Sequence, residues 1–269
     1  MNLGYTISGF AVGLLVGVTG VGGGSLMTPL LVFLFGFNPA VAVGTDLLFA
    51  AITKTCGVWV HHGKHGSVDW KIVGWMALGS IPFAVITLFI LKHLMAIGKE
   101  TSGAITFTLG IALVLTACAL FVRSFLLNRA AKLERIDDEH SNPENASRFK
   151  HLQIPVTILI GSVLGVLVTL SSVGAGALGT VALLFLYPRM TTLKIVGTDL
   201  AHAIPLTAVA GIGHLTLGNV DLVLLSSLLI GSLPGIWVGS HLSAKIPERV
   251  LRPVLATILL LIGFKFILQ

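Results

Sequence analysis

Val21-Gly22-Gly23-Gly24-Ser25-Leu26 and Val173-Gly174-Ala175-Gly176-Ala177-Leu178 stand 152 residues apart, and each interrupts a long apolar run. Their surroundings match as well. Val43-Gly44-Thr45-Asp46-Leu47 answers to Val196-Gly197-Thr198-Asp199-Leu200, and Val68-Asp69 to Val220-Asp221. Gly79-Ser80-Ile81-Pro82 answers to Gly231-Ser232-Leu233-Pro234, while His61 pairs with His214 and Gly66 with Gly218. The offset stays at 152 or 153 throughout. Chance does not hold register over four separate motifs, so the chain is an internal duplication. Residues 1–122 form the first repeat, 123–150 a polar connection and 151–269 the second repeat.

The solvent of this duplicated unit follows from its charges. Only 10% of the 269 residues are charged, against 55% apolar. Mean hydropathy is +0.97. A soluble domain carries about 25% charged residues. Residues 1–45, 72–91, 101–122, 152–188 and 222–244 contain no charge at all. Each of these stretches is as long as the roughly 20 apolar residues a membrane-crossing helix needs. The expected apolar segments are 3–35, 39–60, 71–91, 101–122, 152–187, 193–213, 222–242 and 248–268. The stretch 123–150 holds five acids and six bases and reads as a hydrophilic loop with a short helix near 128–139. No Lys or Arg precedes Lys54, so the basic region that opens a cleavable signal peptide is missing.

Charge also decides how the repeats are oriented. Segments 3–35 and 152–187 are too long for one crossing, and each has its glycine-rich break in the middle. If each folds as a hairpin, the halves have odd parity and opposite orientation. One side of the membrane then collects 13 basic residues and the other three. Single crossings would give nine against seven. The positive-inside rule favours the hairpins. The expected fold is therefore all-α and integral to the plasma (inner) membrane. It has two inverted repeats, each a broken-helix hairpin plus three transmembrane helices, with eight to ten membrane segments in all. Both termini lie outside and 123–150 is cytoplasmic. A parallel four-plus-four repeat is the alternative.

The chemistry sits in the breaks and in the few polar residues inside apolar segments. Consecutive glycines unwind a helix at a cost of about 1 kcal/mol each. A helix restarting after such a break points free N–H groups at whatever faces it, which attracts anions. Gly22, Gly23, Gly24 and Ser25, with Gly174, Ala175, Gly176 and Ala177, are thus candidate anion-binding backbone; close helix packing through small residues is the plainer reading. Thr45 and Thr198 offer hydroxyls beside them. Asp46 and Asp199 repeat faithfully inside the membrane, where a carboxylate is costly and a functional candidate. They either cap their own helices, brace the glycine breaks or couple transport to protons or another cation. Lys54 either binds the anion or snorkels to the cytoplasmic surface. His61, His202 and His214 are candidates for proton coupling. Phe49 occupies the place of His202 in the first repeat. Pro82 and Pro234 mark candidate kinks. Cys56 and Cys118 read as buried small hydrophobes.

No HExxH, GxSxG or Cys–His set is present, so an enzyme is disfavoured, and no catalytic residue, metal or cofactor is expected. The net charge of +6 falls in loops without interleaved aromatics, which argues against nucleic acid. Expected partners are a small anionic substrate and the lipid bilayer, with a homodimer as one possible assembly.

Gly22-Gly23-Gly24, then Pro29, then Asn38-Pro39 with Ala42-Val43-Gly44-Thr45, resembles the TauE/SafE family of sulfite and sulfonate exporters over nearly the whole chain. The resemblance implies a secondary transporter exporting a small anion: sulfite, thiosulfate or an organosulfonate such as sulfoacetate. An anion channel and a non-transporting accessory or sensor protein are the alternatives.

Overall fold

A computed structural model describes residues 3–19, 26–62, 68–98, 101–133, 150–188, 190–242 and 248–268. These residues form ten helices and no strand. The first repeat holds α1 (Leu3–Thr19), α2 (Met27–Phe35), α3 (Pro39–His62), α4 (Trp70–Ala96) and α5 (Ser102–Leu133). The second holds α6 (Lys150–Ser171), α7 (Leu178–Leu186), α8 (Thr192–Thr216), α9 (Leu222–Leu242) and α10 (Glu248–Ile267). Each long first segment thus holds a long helix and then a short one, with a break at 172–177 between α6 and α7 and residues 20–25, between α1 and α2, outside the described residues. At nine residues, α2 and α7 are only about 14 Å long. That is less than half of a hydrocarbon core of roughly 30 Å. Within the described residues, α4, α5, α6, α8 and α9 each contain a stretch long and apolar enough to cross a bilayer.

The surface confirms the solvent. Phe89, Leu159, Trp237 and Leu261 are all more than 60% exposed, whereas Asp46, Asp199, His202 and His214 have no exposed surface. Apolar side chains outside and ionisable ones inside is the distribution a bilayer selects. Cys118 is exposed on α5, which corrects the expectation that it is buried: a thiol is apolar enough to face acyl chains. Pro82 and Pro234 lie inside continuous helices α4 and α9. α5 runs on past the expected end at Val122 to Leu133, because the first part of the polar stretch (Leu126, Leu127, Arg129, Ala130, Ala131, Lys132) is rich in strong helix formers.

The offset that relates the motifs also relates the contacts. α1 packs along α9, and its repeat mate α6 packs along α4. A Cβ on Gly9 or Gly13 would strike the backbone of Leu228 or Ser232, and one on Gly161 or Gly165 would strike Met76 or Ser80. Subtracting 152 from these two glycines and adding 152 to their partners turns the second set into the first. These glycines let the helix axes approach closely, which is how membrane helices gain packing without a hydrophobic drive. Both pairs run in the same sense, since rising residue numbers meet rising numbers. α3 meets its own mate α8, and α5 meets α10. These two pairs run in opposite senses. Gly44 lies against Asn219 and His214 while Gly211 lies against Leu48, and Gly110 meets Ile267 while Gly263 meets Val114.

Candidate functional site

The polar residues of α3 and α8 converge where these helices face the breaks. Asp46 is about two turns inside α3, and Asp199 about two turns inside α8. Neither caps its own helix, which corrects that expectation. Instead Thr28 in the first turn of α2 donates its hydroxyl to Asp46 Oδ2. Thr180, in the first turn of α7, donates to Asp199 Oδ2 at 2.7 Å. A Cβ on Gly179 would land on Asp199 Oδ1, so only a residue without one lets the carboxylate come so close. The carboxylates therefore sit at the N-terminal ends of the short helices that follow the breaks, where the helix dipole favours negative charge. The physics expected of an anion site is met here by the chain's own anions.

The second break is described in full. Gly174 and Gly176 have φ of +109° and +121°, values that L side chains rarely adopt. Ser172 has φ +58° and is, among the described residues, the one non-glycine with positive φ. Such strain costs on the order of 1 kcal/mol or more and collects at functional sites. The Gly174 carbonyl accepts from Leu178 N–H, and the Ala177 carbonyl from Val181 N–H. The Gly176 carbonyl lies 2.6 Å from the same Thr180 hydroxyl, whose single proton it shares with Asp199 Oδ2. The Ala175 carbonyl points across to the first repeat, where Lys54 Nζ donates to it at 3.1 Å. Gly22, Gly23, Gly24 and Ser25 lie outside the described residues.

Lys54 is only 5% exposed, so it does not snorkel. Asp199 and Asp46 both lie within electrostatic reach of its ammonium. The Ser172 side chain lies against Asp46, yet among the described residues Ser172 Oγ and Asp46 Oδ1 make no close hydrogen bond. His202 bonds through Nε2 to the Ser80 hydroxyl at 2.8 Å, and Lys54 acts on it electrostatically. Its Nδ1 is buried without a hydrogen-bond partner among the described residues. Lys54, Asp46, Asp199, His202, Ser172 and Ala175 thus form one polar cluster between the repeats.

Thr45, Thr198 and His214 are placed differently. Thr45 Oγ1 accepts from Asp221 N–H at 3.1 Å, and Thr198 Oγ1 from Asp69 N–H at 2.9 Å. Each threonine thus holds the first residue before a helix of the other repeat. Asp69 in turn caps α4 by accepting from Lys71 and Ile72 N–H. Asp221 accepts in the same way from Val223 and Leu224 N–H. His214 Nε2 lies 2.9 Å from the Thr169 carbonyl and ties α8 to α6. The His61 side chain lies outside the described residues. Among the described residues no group of three or more His, Cys, Asp or Glu could hold a metal ion.

The sequence reading missed Thr28, Thr180 and Ser172. The first two were within reach, since they repeat at the offset of 152. Ser172 had no signal beyond its place at the break.

The family model of the sulfite exporter TauE/SafE matches residues 5–266. The chain belongs to the TauE/SafE family. It is 40% identical over 99% of its length to the probable membrane transporter protein YjnA of Bacillus subtilis, of which the match covers 100%. It is 29% identical to a second protein of that organism, the probable membrane transporter protein YdhB, with 94% of this chain and 97% of YdhB covered. A probable membrane transporter protein of Methanocaldococcus jannaschii is 27% identical over 97% of this chain and 94% of its own. No solved structure matches. As a member of this family the chain is a membrane transporter, in keeping with its buried charges and apolar exterior.

Proposed function

We propose that this TauE/SafE transporter exports a small sulfur oxyanion or organosulfonate across the plasma (inner) membrane, coupled to protons. The observation that carries the reading is the cluster around Lys54, a buried ammonium bonded across the repeat boundary to the Ala175 carbonyl. Membrane transporters place their sites where discontinuous helices of two repeats meet, and both arms of that description fit this cluster. The opposite senses of α3 and α8, and of α5 and α10, support inverted repeats. A two-fold axis in the membrane plane turns each helix against its own mate. The paired threonine contacts then lie on opposite sides of the cluster, and their alternate opening gives access to it from either face.

The charges supply the coupling. With both carboxylates ionised, Lys54 leaves one negative charge over. An anion entering such a cluster would add another, and uncompensated charge inside a membrane is expensive. Entry of the anion together with protons on Asp46 and Asp199 removes that cost. The test is efflux from proteoliposomes loaded with sulfite, thiosulfate, sulfoacetate or sulfate, with and without a pH gradient. At least one sulfur anion is expected to leave faster than sulfate and to respond to the gradient. Asp46→Asn and Asp199→Asn proteins are expected to lose that response. Equal leakage of all four from protein-containing and empty vesicles would sink the proposal.

A further inference from the structure

Where a membrane helix unwinds at depth, its freed carbonyls need a partner. Beside a carboxylate they make an oxygen cage of the sort that coupling metal cations occupy in transporters. The second break has the parts of such a cage: the Ala175 carbonyl, the Ser172 hydroxyl and the carboxylate of Asp46, with Asp199 near. A positive charge already stands there. Lys54 reaches from α3 to place its ammonium 3.1 Å from the Ala175 oxygen, where both carboxylates act on it electrostatically. We propose that the Lys54 ammonium is a tethered cation in the place of a coupling metal ion, so that this transporter works without sodium or potassium. The proposal rests on the reading of the breaks as the transport site.

Three features argue for it. An ammonium offers three N–H donors and no acceptor, so it satisfies inward-pointing oxygens as a bare cation does. A free metal ion added beside Lys54 would bring two positive charges together in a low-dielectric interior. The cation is also present once. The residue of α8 that corresponds to Lys54 is Thr207, whose hydroxyl bonds to Ala203 and Ile204 carbonyls of its own helix. The duplication gave both repeats a carboxylate, and one lysine serves the pair.

The test compares purified protein in sodium chloride, potassium chloride and N-methyl-D-glucamine chloride at equal ionic strength. Wild type is expected to keep the same melting temperature and the same proteoliposome flux in all three. Lys54→Ala is expected to lose most of its flux and to melt lower, and its melting temperature to rise with sodium or methylammonium. Lys54→Met keeps the chain length without the charge; it is read in the same way should the alanine variant fail to fold. A wild-type protein that loses flux or melting temperature when both alkali metals are withdrawn would overturn the proposal. So would a Lys54 variant that behaves as wild type, or one that loses flux and responds to neither cation. The melting measurements need no knowledge of the transported anion, so a wrong substrate assignment leaves them standing.

Discussion

α3 and α8 are the same helix written twice, and they differ where the chemistry is. Both carry a Thr-Asp pair whose threonine holds the other repeat and whose aspartate takes a hydroxyl from the short helix that precedes it. Beyond the aspartates they diverge. α3 has Phe49, buried in an apolar cluster that includes Val12 and Met27, and then Lys54. α8 has His202, bonded to Ser80, and then Thr207. What is kept in both copies holds the halves together. What stands in one copy alone, Lys54 in α3 and His202 in α8, makes the centre asymmetric. A transporter with a perfectly repeated interior would have two identical sites; this one has a single cluster shared by two similar walls.

The largest effect expected from disturbing this comparison comes from removing both shared carboxylates. Asp46→Asn or Asp199→Asn alone leaves Lys54 one counter-charge. The double variant leaves a buried ammonium with none, at a cost of about 3–5 kcal/mol. Unfolding measured across the four proteins should show a double cost well above the sum of the singles. Additive costs would mean that Lys54 does not see the two as a pair.

The next effect tests what is symmetric. Gly79→Val and Gly231→Val each push a side chain into backbone, at Ile158 and Thr6 respectively. Overpacking costs about 1–3 kcal/mol, and the two melting temperatures should fall alike. A large inequality would show that one helix pair is looser than the other. A smaller effect tests what is not symmetric. Ser80→Ala removes the partner of a fully buried histidine, at about 1–3 kcal/mol. Ser232→Ala removes a hydroxyl that bonds only weakly to its own helix, to the Leu229 carbonyl at 3.4 Å, and should change little. Equal losses in denaturant titrations would erase the distinction. Least of all is expected from Lys194→Ala. It breaks the 3.4 Å ion pair with Asp69, which has no equivalent in the first repeat, where Val41 stands in place of Lys194. The pair is substantially exposed, so its loss should cost less than about 1 kcal/mol by thermal melting.

How much of this could be read from the residues follows a physical line. The duplication, the membrane and the broken segments are local or statistical properties, and offset, charge and glycine content display them. Asp46, Asp199 and Lys54 stood out as candidates because a charge in an apolar run is conspicuous. Their roles were not. A carboxylate after a helix start looks like a cap for that helix, and only the fold shows it at the end of a different one. Lys54 near His61 looked free to reach the surface until the packing of α3 against the second break turned it inward. Thr28, Thr180 and Ser172 escaped notice because hydroxyls in apolar segments commonly bond to their own helix, as Thr53, Thr169 and Thr207 do here.

The pairing of α1 with α9 and of α6 with α4 has a consequence in time. The two first helices of the repeats are equivalent in the finished molecule but not on the ribosome. When α6 emerges, α4 has already been made, and the glycine face of α6 can close at once. When α1 emerges, its partner lies about 200 residues downstream, which at ribosomal speeds of about 5–20 residues per second is roughly 10–40 s away. For that interval α1 must wait in the membrane with its glycines open to lipid or to a helper. The second half of the chain thus assembles on arrival, and the first is completed only by the last fifth to be synthesised.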